Sequence, residues 1–308
     1  MITKSDLLQP LLSIIVPNYN NTKFLCDCIE SILAQTFKNY EIIICDDCST
    51  DNSVELIQHY AEKYPCIQTI FHKENIGISM NRHSGILKAK GLYFTTLDSD
   101  DIYFDKKKLE KEMKIVTFYR EKKNQIVCAF SKIALLDKDL NYVRDQWPEE
   151  KINEGNIFNE IISRSAMIPR DYIVAIDAYF AAGQYDRQFN LYEDWDLKIR
   201  VAKKYDFYYT GIHGTGYRKH GNGLSNISTE KNIRILKKVF NKNFHLVETN
   251  NKSIIKRNFN NFTQSIRLNH INSLSKTIST YNFKLKTIHS FIYIRILINK
   301  YLYSIKKK

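Results

Sequence analysis

The chain has 308 residues, of which 44% are hydrophobic and 26% are charged, as is ordinary for a globular protein. Its net charge of +13 is uneven, because residues 226–308 carry 17 Lys and Arg against two Glu, whereas residues 1–225 carry a net −2. This break indicates a domain boundary and excludes a uniformly basic protein. No stretch of about 18 unbroken apolar residues occurs, so no transmembrane helix is expected.

The start of the chain and its cysteines bear on the compartment. Residues 1–4 open no signal peptide, so we expect a protein of the reducing cytosol. Six cysteines are present, and Cys45 and Cys48 have the C-x-x-C spacing of zinc and redox sites. No second pair of this kind follows. We therefore interpret the cysteines as small structural residues, with metal binding or redox chemistry as the alternative.

The first third of the chain alternates between strand-like and helix-like segments. Short apolar runs predict strands at residues 12–16, 41–45, 67–71 and 92–97. Helical spacing and turn signals predict helices at residues 25–35, from Asn52 onwards, and from the turn at 75–77 to Lys88. Glu55, three residues after Asn52, predicts a capping box. Strands that are apolar on both faces indicate an α/β fold, in which helices cover both faces of a mostly parallel central sheet.

The second half of the chain is less regular. We predict helices at residues 107–122, 171–182 and 191–201, and strands at residues 126–136 and 205–210. The helix at 107–122 is charged and is expected at the surface. The helix at 191–201 begins with Glu193 and Asp194, which the positive end of the helix favours. A cap explains them in part, but three carboxylates in four residues exceed what a cap needs, so a general base is the alternative.

Polar clusters follow three of the predicted strands, at residues 18–20, 46–47 and 98–101. In parallel sheets, ligands gather at the carboxyl ends of the strands. The third cluster contains Asp98, Asp100 and Asp101, whose mutual repulsion and desolvation a divalent cation would relieve. Oxygen ligands of this kind suit Mg²⁺ or Mn²⁺. A solvated turn that caps the next helix is the alternative.

Glycine-rich phosphate loops are absent from the sequence, which contains neither G-x-G-x-x-G nor G-x-x-x-x-G-K-[ST]. A bound diphosphate would therefore need a cation to neutralise it, and Asp98 and Asp100 could hold one. His220 lies in a basic, glycine-containing loop at residues 217–225. It is either a solvated hydrogen-bonding group or a nitrogen ligand of the same metal.

Seven motifs, taken in order over about residues 11–225, resemble the inverting family-2 glycosyltransferases of the GT-A fold. They are residues 14–20 (IIVPNYN), 35–37 (QTF) before 40–42 (YEI), 46–51 (DDCSTD), 75–77 (NIG), 98–101 (DSDD), 193–194 (ED), and Arg218 with His220. Each motif alone has little weight, whereas the ordered series is specific. The resemblance implies a Rossmann-like GT-A domain that binds a nucleotide sugar.

The resemblance also implies a role for each matching residue. The residues that would contact the nucleotide of the donor, most often a UDP-sugar, are Pro17, Tyr19, Asn20, Asp47, Asn75, Arg82, Asp98 and Ser99. Asp98 and Asp100 would bind Mn²⁺ or Mg²⁺, and His220 would complete that site. Asp194 would be the catalytic base that deprotonates the acceptor hydroxyl, with inversion at the anomeric centre and no covalent glycosyl-enzyme.

The leading hypothesis is therefore a metal-dependent inverting hexosyltransferase acting on a hydroxyl of a glycan or lipid-linked glycan. A nucleotidyltransferase acting on sugar phosphates is an alternative, but its usual Gly- and Lys/Arg-rich loop is missing from residues 18–22. A non-catalytic nucleotide-sugar-binding module is another, and the set Asp98, Asp100 and Asp194 argues against it. The Lys-, Asn- and Ile-rich composition and the resemblance suggest bacterial surface glycans such as lipopolysaccharide, capsule or lipid-linked oligosaccharide.

The predicted domains follow the break in charge. Residues 1–225 would form the catalytic domain, with a nucleotide-sugar-binding part at about 11–101 and an acceptor-binding part at about 102–225. Residues 226–308 would form a basic helical extension, strongly apolar at 288–302. Such helices would lie on an anionic membrane surface, at the inner face of the cytoplasmic membrane. Plain helical packing or oligomerisation is the alternative, and nucleic-acid binding is least favoured.

Overall fold

The fold is mixed α/β around a mostly parallel central sheet, which confirms the prediction. A computed structural model describes residues 9–146, 152–166, 168–220 and 227–282. The chain divides into two compact units, residues 1–262 and 263–308. The elements up to the end of the fourth strand are β1 (Leu12–Asn18), α1 (Thr22–Leu33), β2 (Tyr40–Asp46), α2 (Ser53–Lys63), β3 (Ile67–Phe71), α3 (Ile78–Lys88) and β4 (Tyr93–Thr96).

The elements after β4 build a second sheet and the helices around it. They are β5 (Ile102–Tyr103), α4 (Lys108–Lys123), β6 (Val127–Leu136), β7 (Tyr142–Asp145), α5 (Phe158–Ser163), β8 (Val174–Ala175), α6 (Ile176–Ala181), α7 (Glu193–Ala202) and β9 (Asp206–Arg218). Then come α8 (Thr229–Asn243) and α9 (Lys252–Asn282). Within the described ranges the second sheet has the order β5-β9-β6-β7.

The central sheet brings the polar strand ends together. Its order within the described residues is β3-β2-β1-β4-β8, with β1, β2, β3 and β4 parallel and β8 antiparallel to β4. Every residue of β1 and β2 is buried, which explains their unbroken apolar runs. The register pairs Asn18 with Asp46, so both strands end at the same edge. The amide of Leu97 donates to the carbonyl of Ile15, which brings Asp98 to that edge as well.

Two local predictions are wrong. The Asn52 side chain makes no capping hydrogen bond at the start of α2; instead, Asp51 accepts the amide of Ser53 at 3.0 Å. The segment at 171–182 is only half helical, because β8 pairs with β4 before α6 begins at Ile176. An edge strand of two residues is too short to show a period of its own in the sequence.

The charged helix α4 is not purely a surface helix. Lys108 and Glu112 are fully buried and form an ion pair at 2.7 Å, one helical turn apart. The Lys108 ammonium also donates to the backbone carbonyl of Asp171 at 3.0 Å, and the Ser131 hydroxyl donates to Glu112 at 2.6 Å. The charged sequence predicted that this helix is exposed. Charged residues are also found buried when they form ion pairs whose hydrogen bonds are satisfied, as in Lys108 and Glu112.

Helix α8 is joined to α7 through one buried carboxylate. Asp196, which is fully buried, accepts hydrogen bonds from Arg200 at 2.7 Å, Lys242 at 2.8 Å and Asn243 at 2.7 Å. The first part of the predicted extension therefore packs on the helix that carries Asp194. A domain boundary at residue 225 stays a prediction, and the first compact unit continues to Phe262.

The C-terminal segment is described only up to residue 282. The predicted apolar stretch at 288–302 lies outside the described residues. Among the helices that are described, none combines the length and hydrophobicity needed to cross a membrane.

Candidate active site

One large cavity opens at the carboxyl ends of β1, β2 and β4, with a volume of about 1410 Å³. All the residues predicted for the site line it: Pro17, Tyr19, Asn20, Asp47, Asn75, Arg82, Asp98, Ser99, Asp100, Asp194 and His220. Residues separated by up to two hundred positions therefore meet, because parallel strands end at one edge. The roles assigned to these residues stay predictions.

The loop after β2 and the turn before α3 are joined by a side chain that accepts backbone hydrogen bonds. Asp47 accepts the amides of Ile76 at 2.8 Å and Gly77 at 3.0 Å, so the loop after β2 fixes the turn before α3. Gly77 has a φ of +83°, which a side chain would strain, and its Cβ would lie 2.7 Å from Asn190. The ring of Tyr19 is 47% exposed and therefore available to a flat ligand.

Three carboxylates meet in the acidic loop after β4. One oxygen from each of Asp98, Asp100 and Asp101 can be chosen so that all lie within 4.8 Å of one another. Burial and the charges of Asp100 and Asp98 raise the pKa of Asp101 well above its ordinary value. Asp101 accepts the backbone amide of Arg218 at 3.0 Å, so it ties this loop to the end of β9.

Two arginines bind Asp98. Arg82 from α3 donates to one carboxylate oxygen and Arg170 to the other. Burial raises the pKa of Asp98, but the charges of Arg170 and Arg82 outweigh it and the net shift is downwards. Asp98 is therefore an anion whose two oxygens each already accept an arginine N–H, so a cation bound there would have to share or displace one of these contacts.

Asp100 and His220 form a hydrogen-bonded pair in the cavity. The Oδ2 atom of Asp100 and the Nε2 atom of His220 are 2.8 Å apart, close to the spacing of about 3 Å between neighbouring ligands of octahedral Mg²⁺. The imidazole packs on Phe24, with ring centroids 4.7 Å apart. Arg218 covers the same ring and donates to Asp27 at 2.8 Å. The donor set therefore fits a hard divalent cation at Asp100 and His220, with Asp98 adjacent.

Asp194 and its neighbour Glu193 lie in the first turn of α7, and both line the cavity. Glu193 accepts from Arg82 and its side chain is 7% exposed, whereas that of Asp194 is 26% exposed. Burial raises the pKa of Asp194, but the charges of Lys198, Arg170 and Arg82 lower it overall to about 2. Asp194 is therefore ionised at neutral pH and can accept a proton in the cavity.

The sequence comparisons identify the family. Residues 13–189 match the model of Glycosyl transferase family 2. The chain belongs to this family. Several curated relatives are glycosyltransferases, among them an uncharacterized glycosyltransferase of Rickettsia bellii that is 31% identical over 207 residues, 66% of this chain and 28% of the relative. Glycosyltransferase GlyG of Streptococcus pneumoniae is 39% identical over 114 residues, 37% of this chain and 36% of the relative.

The chain also resembles solved structures. Staphylococcus aureus TarS, residues 1–349 in complex with UDP-GlcNAc, superposes with a TM-score of 0.63 at 17% identity, covering 80% of this chain and 71% of that 1–349 chain. That likeness supports the GT-A fold. The matches to the Rickettsia bellii enzyme and GlyG span only about a third of those proteins.

Several cationic residues of the cavity were not predicted for this family-2 glycosyltransferase, among them Arg164, Arg170 and Lys198. Lys198 follows Asp194 by one helical turn, and this spacing could have indicated the contact. Arg170 reaches Asp98 across 72 positions of sequence, which no local pattern shows. Arg164 follows the short helix α5 and carries no motif.

Proposed function

We propose that this family-2 glycosyltransferase moves a sugar from a nucleotide donor, a UDP-sugar, to a hydroxyl of a glycan or lipid-linked glycan, with inversion. One observation carries the proposal: residues suited to a nucleotide, a divalent cation and a proton line the same cavity. TarS, which shares the fold, has been crystallised with UDP-GlcNAc and with UDP. That likeness supports the choice of a uridine nucleotide.

The donor side of the cavity supplies two kinds of contact in this proposal. Tyr19 offers an exposed ring to the uracil, and Asp47 lies at the loop where the ribose would sit. Asp100 and His220, with Asp98 if it exchanges an arginine, would hold Mn²⁺ or Mg²⁺. Such an ion, when bound, offsets the negative charge of a diphosphate leaving group.

The acceptor side supplies the base. The Asp194 carboxylate is ionised and partly exposed to the cavity, so it can take the proton of an acceptor hydroxyl as the bond to the anomeric carbon forms. Proton removal and departure of UDP are then handled by different carboxylates. In-line displacement of this kind inverts the anomeric centre without a covalent intermediate.

The release of UDP tests transfer against mere binding. A panel of UDP-sugars is incubated with Mn²⁺ and with candidate acceptors such as lipid-linked glycans, and free UDP is measured. Transfer predicts release that depends on the acceptor. Saturable UDP-sugar binding without release would indicate a binding module, and release of pyrophosphate from UTP and a sugar phosphate would indicate a nucleotidyltransferase.

Replacing Asp100 by Ala is expected to abolish the part of UDP affinity that depends on Mn²⁺. The variant removes one of two ligands that lie 2.8 Å apart and leaves the nucleobase contacts in place. Calorimetric titration with UDP, with and without Mn²⁺, measures the effect. Asp139→Ala is the matched control, because Asp139 pairs with Lys138 at the surface and its side chain is 62% exposed. Equal Mn²⁺ enhancement in Asp100→Ala and wild type would refute the ligand assignment.

We also propose that the C-terminal extension attaches the enzyme to the cytoplasmic face of an anionic membrane, where lipid-linked acceptors are found. Residues 283–308 carry seven Lys and Arg and no Asp or Glu. The full chain is expected to float with vesicles that contain phosphatidylglycerol and not with neutral vesicles. A chain ending at residue 282 is expected to lose most of this flotation, and equal flotation of the two chains would contradict the proposal.

A further inference from the structure

Arg164 is a cation without an anion. Its guanidinium carbon lies 5.1 Å from the ring centroid of Trp195, 5.2 Å from that of Phe262 and 5.7 Å from that of Tyr192. Within the described part of the chain it forms no ion pair, and its buried Nε atom has no hydrogen-bond partner. Arg82 and Arg170, in the same cavity, each bind a carboxylate.

The surroundings of Arg164 hold the guanidinium but leave its charge uncompensated. Aromatic faces attract a cation, yet they accept few of its N–H hydrogen bonds. Burial lowers the pKa of Arg164, and the charge of Asp194 opposes this shift. The partly buried guanidinium would therefore gain an ion pair if an anion entered the cavity.

The backbone around Arg164 is also unusual. Arg164 and Tyr192 both have left-handed φ angles, +61° and +63°, although neither is glycine. Their side chains stack on each other, and both line the cavity beside Asp194. Arg164 is the C-cap of α5, where a left-handed residue commonly ends a helix, and its side chain lines the cavity.

Lys198 provides a second cation on the same side. It is 2% exposed, lines the cavity, donates to the carbonyl of Ile168 and lies 3.3 Å from Asp194. We propose that Arg164 and Lys198 form an oxyanion subsite on the acceptor side of Asp194, so that the acceptor is an acidic glycan with a phosphate or carboxylate near the reacting hydroxyl. This inference rests on the proposed role of Asp194.

The chemistry explains why both cations are needed there. The Asp194 carboxylate would repel the acidic group of such an acceptor. Positive charge close to both anions removes this repulsion. The planar guanidinium can bind two oxygens of one phosphate or carboxylate, and the ammonium adds a point charge. Asp194 is the carboxylate whose charge acts on Arg164, so the guanidinium lies on the side of the cavity that carries the proposed base.

Small probes test the subsite without knowledge of the acceptor. Binding of glycerol phosphate, methyl glucuronide and methyl glucoside is measured by titration of the full chain, with and without saturating UDP. We expect the wild type to bind at least one charged probe about tenfold more tightly than the neutral glucoside. The charged probe that binds distinguishes phosphate from carboxylate. Arg164→Gln is expected to remove that preference, whereas UDP affinity stays within twofold of wild type.

Two further variants keep the test decisive. Arg234→Gln removes one charge from an exposed position of α8 and is expected to bind the probes like the wild type. Lys198→Gln is expected to lose probe affinity by itself, which covers the case in which Arg164→Gln does not fold. Equal affinity of the wild type for charged and neutral probes would overturn the subsite, as would retention of the preference in folded Arg164→Gln. Failure of the wild type to bind UDP would instead count against the proposed function.

Discussion

Asp194→Asn is expected to slow sugar transfer by about 10³-fold, because a positioned general base contributes roughly 10²–10⁴-fold to such reactions. The amide keeps the size of the side chain but cannot accept the proton. Lys198 would lose its anionic partner at 3.3 Å, whereas the contacts of Arg82 with Asp98 and Glu193 would remain. The loss should therefore appear in the rate of transfer and not in donor binding.

The measurement is acceptor-dependent UDP release at saturating donor, with UDP affinity determined by calorimetry on the same preparations. Asp139→Asn, at an exposed position, controls for the loss of a charge. The pKa of Asp194 is lowered to about 2 from an ordinary 3.8, so this carboxylate stays ionised between pH 8 and pH 5. Protonation of Asp194 should therefore not slow wild-type transfer over this range. Near-normal transfer by Asp194→Asn would show that another group takes the proton.

Asp196→Ala is expected to lower the free energy of unfolding by about 3–5 kcal/mol, the usual cost of breaking a buried ion pair from one side. Its two oxygens accept hydrogen bonds from Arg200, Lys242 and Asn243, and the side chain is fully buried. Truncation removes the one buried acceptor that these three groups share, although Lys242 keeps its contact with Asp186 at 2.8 Å. Because α7 carries both Asp194 and Asp196, the loss should also reduce transfer.

Urea denaturation followed by circular dichroism measures this effect. Asp177→Ala is the matched control, since Asp177 pairs with Arg120 at the surface, where the side chains are 55% and 38% exposed. Exposed pairs contribute about 0–1 kcal/mol, so the control should be close to the wild type. Similar urea midpoints for Asp196→Ala and Asp177→Ala would contradict the view that contact with α8 stabilises α7.

The fold could be predicted from the sequence because its signals are local. The strands β1, β2 and β3 lie where apolar runs were found, and α3 and α7 begin within two residues of their predicted starts. The site followed from the fold, since three parallel strands that end in polar residues place those residues at one edge. That is why Asp47 and Asp98 line one cavity, to which the first turn of α7 adds Asp194.

The pairing of charges could not be predicted in the same way. Lys108 and Glu112 looked like surface charges, and only tertiary packing shows that both are buried. Arg170 and Arg164 lie in irregular segments between α5 and β8, where side-chain direction depends on the whole fold. The half-helical segment at 171–182 was mistaken for a helix because pairing with β4 overrides its local helical preference.

Arg82 has a consequence for protein engineering. One guanidinium binds Asp98 in the part proposed to bind the nucleotide and Glu193 in the part proposed to bind the acceptor. A chimaera that takes its acceptor half from another enzyme would leave a buried arginine half-paired unless the incoming segment also supplies a carboxylate at position 193. Exchanges intended to change acceptor specificity should therefore treat Arg82 and Glu193 as one transferable unit.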